Sequence, residues 1–148
     1  MITNERQYRI TKAQAAAFQR TLQDLGSTPT PQEIHPRIRK AQVDAVAAQL
    51  QELRDDLREY EHLREQKGAV LECHSFDELP NLLIKARVAS GMNQRELAER
   101  LKLKEQQIQR YEATAYAGAS VTRLLAIARA LNVQFTGCLL YTSDAADE

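Results

Sequence analysis

Between Gly91 and Glu112 the chain reads GMNQRELAERLKLKEQQIQRYE, and the spacing of its apolar residues fits two short helices meeting at a tight turn. Asn93 is a helix-capping residue with Glu96 three positions on, the arrangement of a reciprocal capping box. The helix it starts buries Leu97, Ala98 and Leu101. A larger side chain at Ala98 would hold the second helix away, so this small residue sets the angle between the two. Lys102 and Leu103 make the turn, and the second helix runs from about Lys104 to Glu112 with Ile108 and Tyr111 facing inward.

The outer face of that second helix carries Glu105, Gln106, Gln109 and Arg110. These are the side-chain types that reach base edges in a major groove: Gln pairs with adenine, Arg with guanine, and Glu accepts from cytosine. A formal net charge of zero argues against such a partner until the charge is divided along the chain. Leu79 to Gly137 holds nine Lys and Arg against four Glu, a net of +5, whereas Met1 to Glu78 is −2 and the last eleven residues add −3. The positive charge lies where phosphates would use it.

From Leu79 to Val133 these residues resemble the Cro and phage-repressor type of helix-turn-helix regulator, the XRE family, with the best segment at Gly91-Met92-Asn93-Gln94-Arg95-Glu96-Leu97-Ala98. The resemblance implies a multi-helix bundle that binds double-stranded DNA. It puts the base readers at Glu105, Gln106 and Arg110, with Gln107 and Gln109 flanking them. It also implies that Gln94, beside Asn93 at the start of the first motif helix, contacts a phosphate, and that Arg87 pairs with Glu112 as a structural ion pair. Two positions depart from the pattern. Lys102 stands where the turn usually has Gly, and a non-Gly residue in a left-handed conformation costs about 1 kcal/mol. Lys104 stands where Ser or Thr usually caps the helix. Both lysines are candidates for phosphate contact, with a solvated role as the alternative. Tyr116, in the loop that follows, either reaches a phosphate through its hydroxyl or packs under the loop.

Other chemistries find little support. Cys73 and Cys138 are too few for a disulfide framework, and together with His35, His62 and His74 they lack metal-ligand spacing, so no metal and no cofactor are expected. There is no nucleophile elbow, phosphate loop or supported pair of carboxylates, which argues against an enzyme. With no apolar run of about 18 residues and no signal pattern, no membrane partner is expected, and the chain reads as cytoplasmic.

The rest is also helical, making the expected fold class all-α. Thr11 with Gln14 is a cap signal, followed by Ala15, Phe18, Leu22 and Leu25 on one face, with Gly26 as the stop. The Pro-containing stretch Gly26 to Pro31 is a connection that no helix crosses. A long helix from about Pro36 to Gln66 repeats Val43, Val46, Leu50, Leu53, Leu57 and Tyr60 at steps of three and four, a heptad seam. The seam needs a partner. A parallel homodimer would set Asp56 against Glu61, and an antiparallel hairpin with the first helix avoids that contact; the hairpin is favoured, with leftover apolar surface joining two chains. The run Arg54 to Glu65 alternates sign and reads as a solvated face.

Gly68 breaks the long helix and residues 69–74 form a linker. Ser75 with Glu78 is a capping box for a helix carrying Leu79, Leu82, Leu83, Ala86 and Val88, with Pro80 near its first turn. Ser120 caps a last helix with Val121, Leu124, Leu125, Ile127, Ala128 and Leu131. The expected division is therefore residues 1–68 for oligomerisation or partner binding, 75–137 for the helix-turn-helix domain, and 138–148 as a tail. That tail, CLLYTSDAADE, resembles a translated transposase-based sequencing adapter, so no function is expected of it. The functional expectation is a sequence-specific regulator, a repressor acting as a homodimer on an operator. The alternative is an antitoxin or adaptor whose N-terminal helices hold a protein partner while the helix-turn-helix autoregulates.

Overall fold

The computed structural model describes residues 1–29, 34–65 and 71–136, and every regular element in them is helical. Six α-helices follow one another: α1 Glu5–Ser27, α2 Pro36–Glu65, α3 Leu79–Ala89, α4 Gln94–Arg100, α5 Glu105–Ala113 and α6 Val121–Ala130, with a 3-10 turn at Phe76–Glu78 before α3. The expected break at Gly68, the first residues of the linker and the tail from Cys138 lie outside the described residues.

Helix α1 starts nearly two turns before the expected cap at Thr11. Asn4 is extended and its side chain accepts from the Gln7 amide at 2.9 Å, while Gln7 Oε1 accepts from the Thr3 amide at 2.9 Å and its hydroxyl at 2.8 Å. Asn is at least as good a cap as Thr, and no breaker lies between the two sites, so the earlier cap takes the helix. The longer helix presents Tyr8, Thr11, Ala15, Phe18, Leu22 and Leu25 as one buried or half-buried stripe.

Opposite it lies the α2 seam, with Leu50 and Tyr60 buried and Val43, Val46, Leu53 and Leu57 half-buried. The pairing is antiparallel and within the chain: Arg39 Nη2 donates to Leu25 O at 2.8 Å, Arg54 Nη2 to Gln19 Oε1 at 2.6 Å, and Arg64 Nη1 to Glu5 Oε2 at 2.6 Å. Tyr8 stacks on Tyr60 with ring centroids 5.2 Å apart. The seam's need for an apolar partner is met by a helix that the connection returns alongside it.

The far end of this hairpin is anchored on the second half of the chain. Ile2, Tyr60, Leu63, Val88 and Ala89 form a small buried cluster, and Lys85 Nζ reaches Glu59 Oε1 at 2.7 Å. The larger core joins α3 to α6 through Leu83, Ile84, Leu97, Ala98, Ile108, Ile127 and their neighbours, with Leu97, Ile108 and Ile127 fully excluded from solvent.

Two expectations need correcting. Ser75 makes no capping hydrogen bond; Glu78 Oε2 instead accepts from the His74 amide at 2.9 Å, and α3 begins at Leu79 with Pro80 in its first turn. Pro tolerates that place because first-turn amides have no helical acceptor. On α6 the inward stripe is Leu124, Ile127, Ala128 and Leu131, which leaves Val121 and Leu125 57% and 46% exposed on the outer flank. The Ser120 cap is present, its hydroxyl accepting from the Arg123 amide at 3.2 Å.

Candidate nucleic-acid interface

Helices α3, α4 and α6 end in the same device, which sets the directions of α4 and α5. Gly91 after α3, Lys102 after α4 and Asn132 after α6 are left-handed, with φ of 71°, 54° and 55°. The next amide in each case returns to a carbonyl five residues back: Met92 to Arg87 at 3.2 Å, Leu103 to Ala98 at 2.8 Å, Val133 to Ala128 at 2.9 Å. Gly and Asn adopt this conformation readily, whereas Lys102 is strained. The strain holds because Leu97 and Ala98 on one side of the turn and Ile108 on the other are buried in one core.

Helix α4 has the full capping box, with Asn93 Oδ1 accepting from the Glu96 amide at 2.8 Å and Glu96 Oε2 from the Asn93 amide at 2.8 Å. Helix α5 has half of one. The Lys104 ammonium is a donor only and cannot cap, but Gln107 Oε1 accepts from the Lys104 amide at 3.0 Å. Gln107, expected beside the base readers, is thus used in starting the helix and is half-buried.

Glu105, Gln106, Gln109 and Arg110 are all exposed on the outer face of α5. Gln109 Nε2 donates to Glu105 Oε1 at 3.0 Å, so these two act as a linked pair. No side-chain partner holds Gln106 or Arg110 among the described residues, and both project freely alongside exposed Lys102 and Lys104.

Beneath this face the structure brings Arg87 and Glu112 together as a buried, two-pronged ion pair, Nε to Oε1 at 2.5 Å and Nη2 to Oε2 at 2.7 Å. Arg87 also donates to Met92 O at 2.8 Å and, from α3 to the chain start, to Thr3 O at 2.6 Å. The end of α5, the entrance to α4 and the N-terminal segment are therefore tied at one guanidinium. Its rigid fork of donors is suited to such a junction.

Gln94 departs from the phosphate role implied for it. It is 7% exposed, and Nε2 donates inward to Glu112 Oε2 at 2.7 Å. A buried carboxylate has more acceptor sites than one guanidinium fills, and the amide supplies the third donor. Tyr116 also turns inward. Its ring stacks on Tyr111 with centroids 5.9 Å apart, and its hydroxyl is buried without a hydrogen-bond partner among the described residues, so of the two alternatives it packs under the loop. Burial, and secondly the charge of Glu112, push its phenol well above its usual ionisation range, with Arg87 partly offsetting them.

The local sequence pattern does not reveal the N-terminal contribution. The first helical turns of α1 run beside α4 and α5, so that an open groove of about 1410 Å³ has Arg6 and Arg9 on one wall and Arg95, Glu105 and Gln109 on the other. The Asn4-Gln7 spacing, the same as Thr11-Gln14, is the one signal for that extra stretch of helix.

Residues 83–137, from within α3 to beyond α6, match the family model described as Helix-turn-helix. That segment matches a helix-turn-helix of the Cro and phage-repressor type, which supports a DNA-binding role in transcription regulation. No curated protein and no solved structure matches the chain. Among the described residues no helix is long and apolar enough to cross a membrane, and no cluster of His, Cys, Asp or Glu could hold a metal ion.

Proposed function

We propose that the protein is a repressor that acts as a homodimer, occupying an operator with one α5 in each of two half-sites. The observation that carries this reading is the outer face of α5, where Gln106 and Arg110 project without side-chain partners among the described residues, in the stretch Leu79 to Gly137 whose charge is +5. Base reading belongs to Glu105, Gln106 and Arg110, with Gln109 holding Glu105 in place. Phosphate contact belongs to Lys102 and Lys104 beside the turn and to Asn93 at the start of α4. A single short helix reads too few base pairs for useful specificity, and a two-fold pair spaced by about one duplex turn, 34 Å, doubles the site. Support for pairing comes from Val121 and Leu125, exposed and one turn apart on α6, together with exposed Phe135.

The division of labour follows: residues 1–68 as a helical appendage, 75–137 as the DNA-binding domain. The antitoxin or adaptor reading stands second, because α1 occupies the Val43 to Tyr60 seam that would otherwise await a protein partner. The test is selection of bound sequences from random duplexes, followed by variants. Arg110→Ala should cost about 1 to 3 kcal/mol at the selected site and relax one base position, whereas Lys104→Ala should weaken all sequences alike. Equal operator binding by wild type and Arg110→Ala would reject the base-reading assignment.

A further inference from the structure

We propose that the first turns of α1 form a second wall of the DNA-binding surface, with Arg6 and Arg9 contacting the phosphates of the strand that borders α5. The inference rests on the DNA-binding reading above and adds two residues outside the helix-turn-helix domain to its interface. Arg6 and Arg9 lie three residues apart on α1, on the side turned from α2, and both line the groove shared with Arg95, Glu105 and Gln109. Both are exposed, and neither has an ion-pair or side-chain hydrogen-bond partner among the described residues.

The acids around them are largely neutralised. Glu5 is held by Arg64 and Glu112 by Arg87, which leaves Glu105, hydrogen-bonded to Gln109, as the groove carboxylate without an ion-pair partner among the described residues. An unpaired arginine wall facing one that carries Arg95 and the base-reading Glu105 suits a polyanion passing between them. That wall is anchored to the rest of the fold: Tyr8 is stacked on Tyr60, Arg64 pairs with Glu5, and Thr3 O accepts from the same Arg87 that fixes the end of α5. The arginines therefore stand at a set distance from the recognition helix.

The experiment measures affinity of the full chain for its selected operator and for a random duplex across a salt series, comparing wild type with Arg6→Gln/Arg9→Gln. A charge-matched control, Arg37→Gln/Lys40→Gln, lies at the other end of the hairpin, about 30 Å along α2 from Leu57. With neither arginine left to neutralise a phosphate, the slope of log affinity against log salt should fall by about 1.8 for each bound protomer, about 3.6 for the dimer, a weakening of about 30-fold per protomer at 0.15 M salt that is the same for both duplexes. The control should keep the wild-type slope, and thermal unfolding should confirm that both variants remain folded. An unchanged slope in the Arg6/Arg9 variant, a slope lowered equally by the control, or tighter binding once the arginines are gone, which would make α1 an obstruction, overturns the proposal and leaves the DNA-binding reading intact. Absence of salt-sensitive binding by wild type overturns both.

Discussion

Glu112 shows how much one side chain can carry. Its two oxygens accept three donors from Arg87 and Gln94 in an environment that excludes water, and through them α3, α4 and α5 share one fixed point. Removing one member of a buried pair strands the other's charge, so Glu112→Ala should destabilise the fold by about 3 to 5 kcal/mol in urea unfolding. A second change, Arg87→Met, should recover a large part of that loss, because an apolar pair leaves no charge stranded. Tyr116 is the opposite case. Its hydroxyl gains no partner among the described residues, and Tyr116→Phe should stabilise the protein by about 1 kcal/mol. The same phenol makes stability depend on alkaline pH. Its folded ionisation lies above the usual value of 10.0, so above that pH the unfolded chain releases a proton that the folded chain keeps. Stability contributed by the neutral phenol is intact below pH 10.0 and falls by about 1.4 kcal/mol per further unit until the folded form ionises. Unfolding curves at rising alkaline pH should show this loss in wild type and its absence in Tyr116→Phe.

At the scale of elements, the turn between α4 and α5 combines good and poor local choices. The capping box at Asn93 and Glu96 and the buried Leu97, Ala98 and Ile108 all favour the observed geometry. Lys102 opposes it, with a side chain at φ 54° where glycine would be unstrained. Lys102→Gly should therefore raise stability by about 0.5 to 1 kcal/mol in thermal unfolding, the relief of strain exceeding the added chain entropy. The α1 to α2 hairpin shows local and tertiary preference agreeing. A heptad seam on one helix and a matching stripe on the other meet across a proline-containing connection, and most of each stripe is visible as periodicity. The start of α1 is harder to read, since Asn4 and Thr11 are both credible caps and only the contacts of Glu5 with Arg64 and of Tyr8 with Tyr60 show which residues are helical.

For the whole molecule, the apolar outer flank of α6 is a surface that a monomer leaves uncovered. If Val121 and Leu125 form the two-fold contact, Leu125→Glu should shift the protein to monomer in sedimentation at micromolar concentration and weaken operator binding while leaving the fold intact, because the residue is 46% exposed. A stable dimer in that variant would assign pairing to another face.

Periodicity, caps and charge distribution were sufficient for the helical class, the long helix, the turn at Lys102 and the outward face of α5, because each depends on neighbours within a few residues in the chain. What only the tertiary structure decided depends on residues far apart. Gln94 turns inward because Glu112 needs a donor, Tyr116 because the core beneath its loop accepts its ring, and Gln107 toward the start of α5 because Lys104 offers no acceptor. The nearness of Arg6 and Arg9 to α5 belongs to the same class. It arises from packing between α2 and α3 and from the strap of Met1 to Asn4, contacts spanning up to 84 residues that no local pattern encodes.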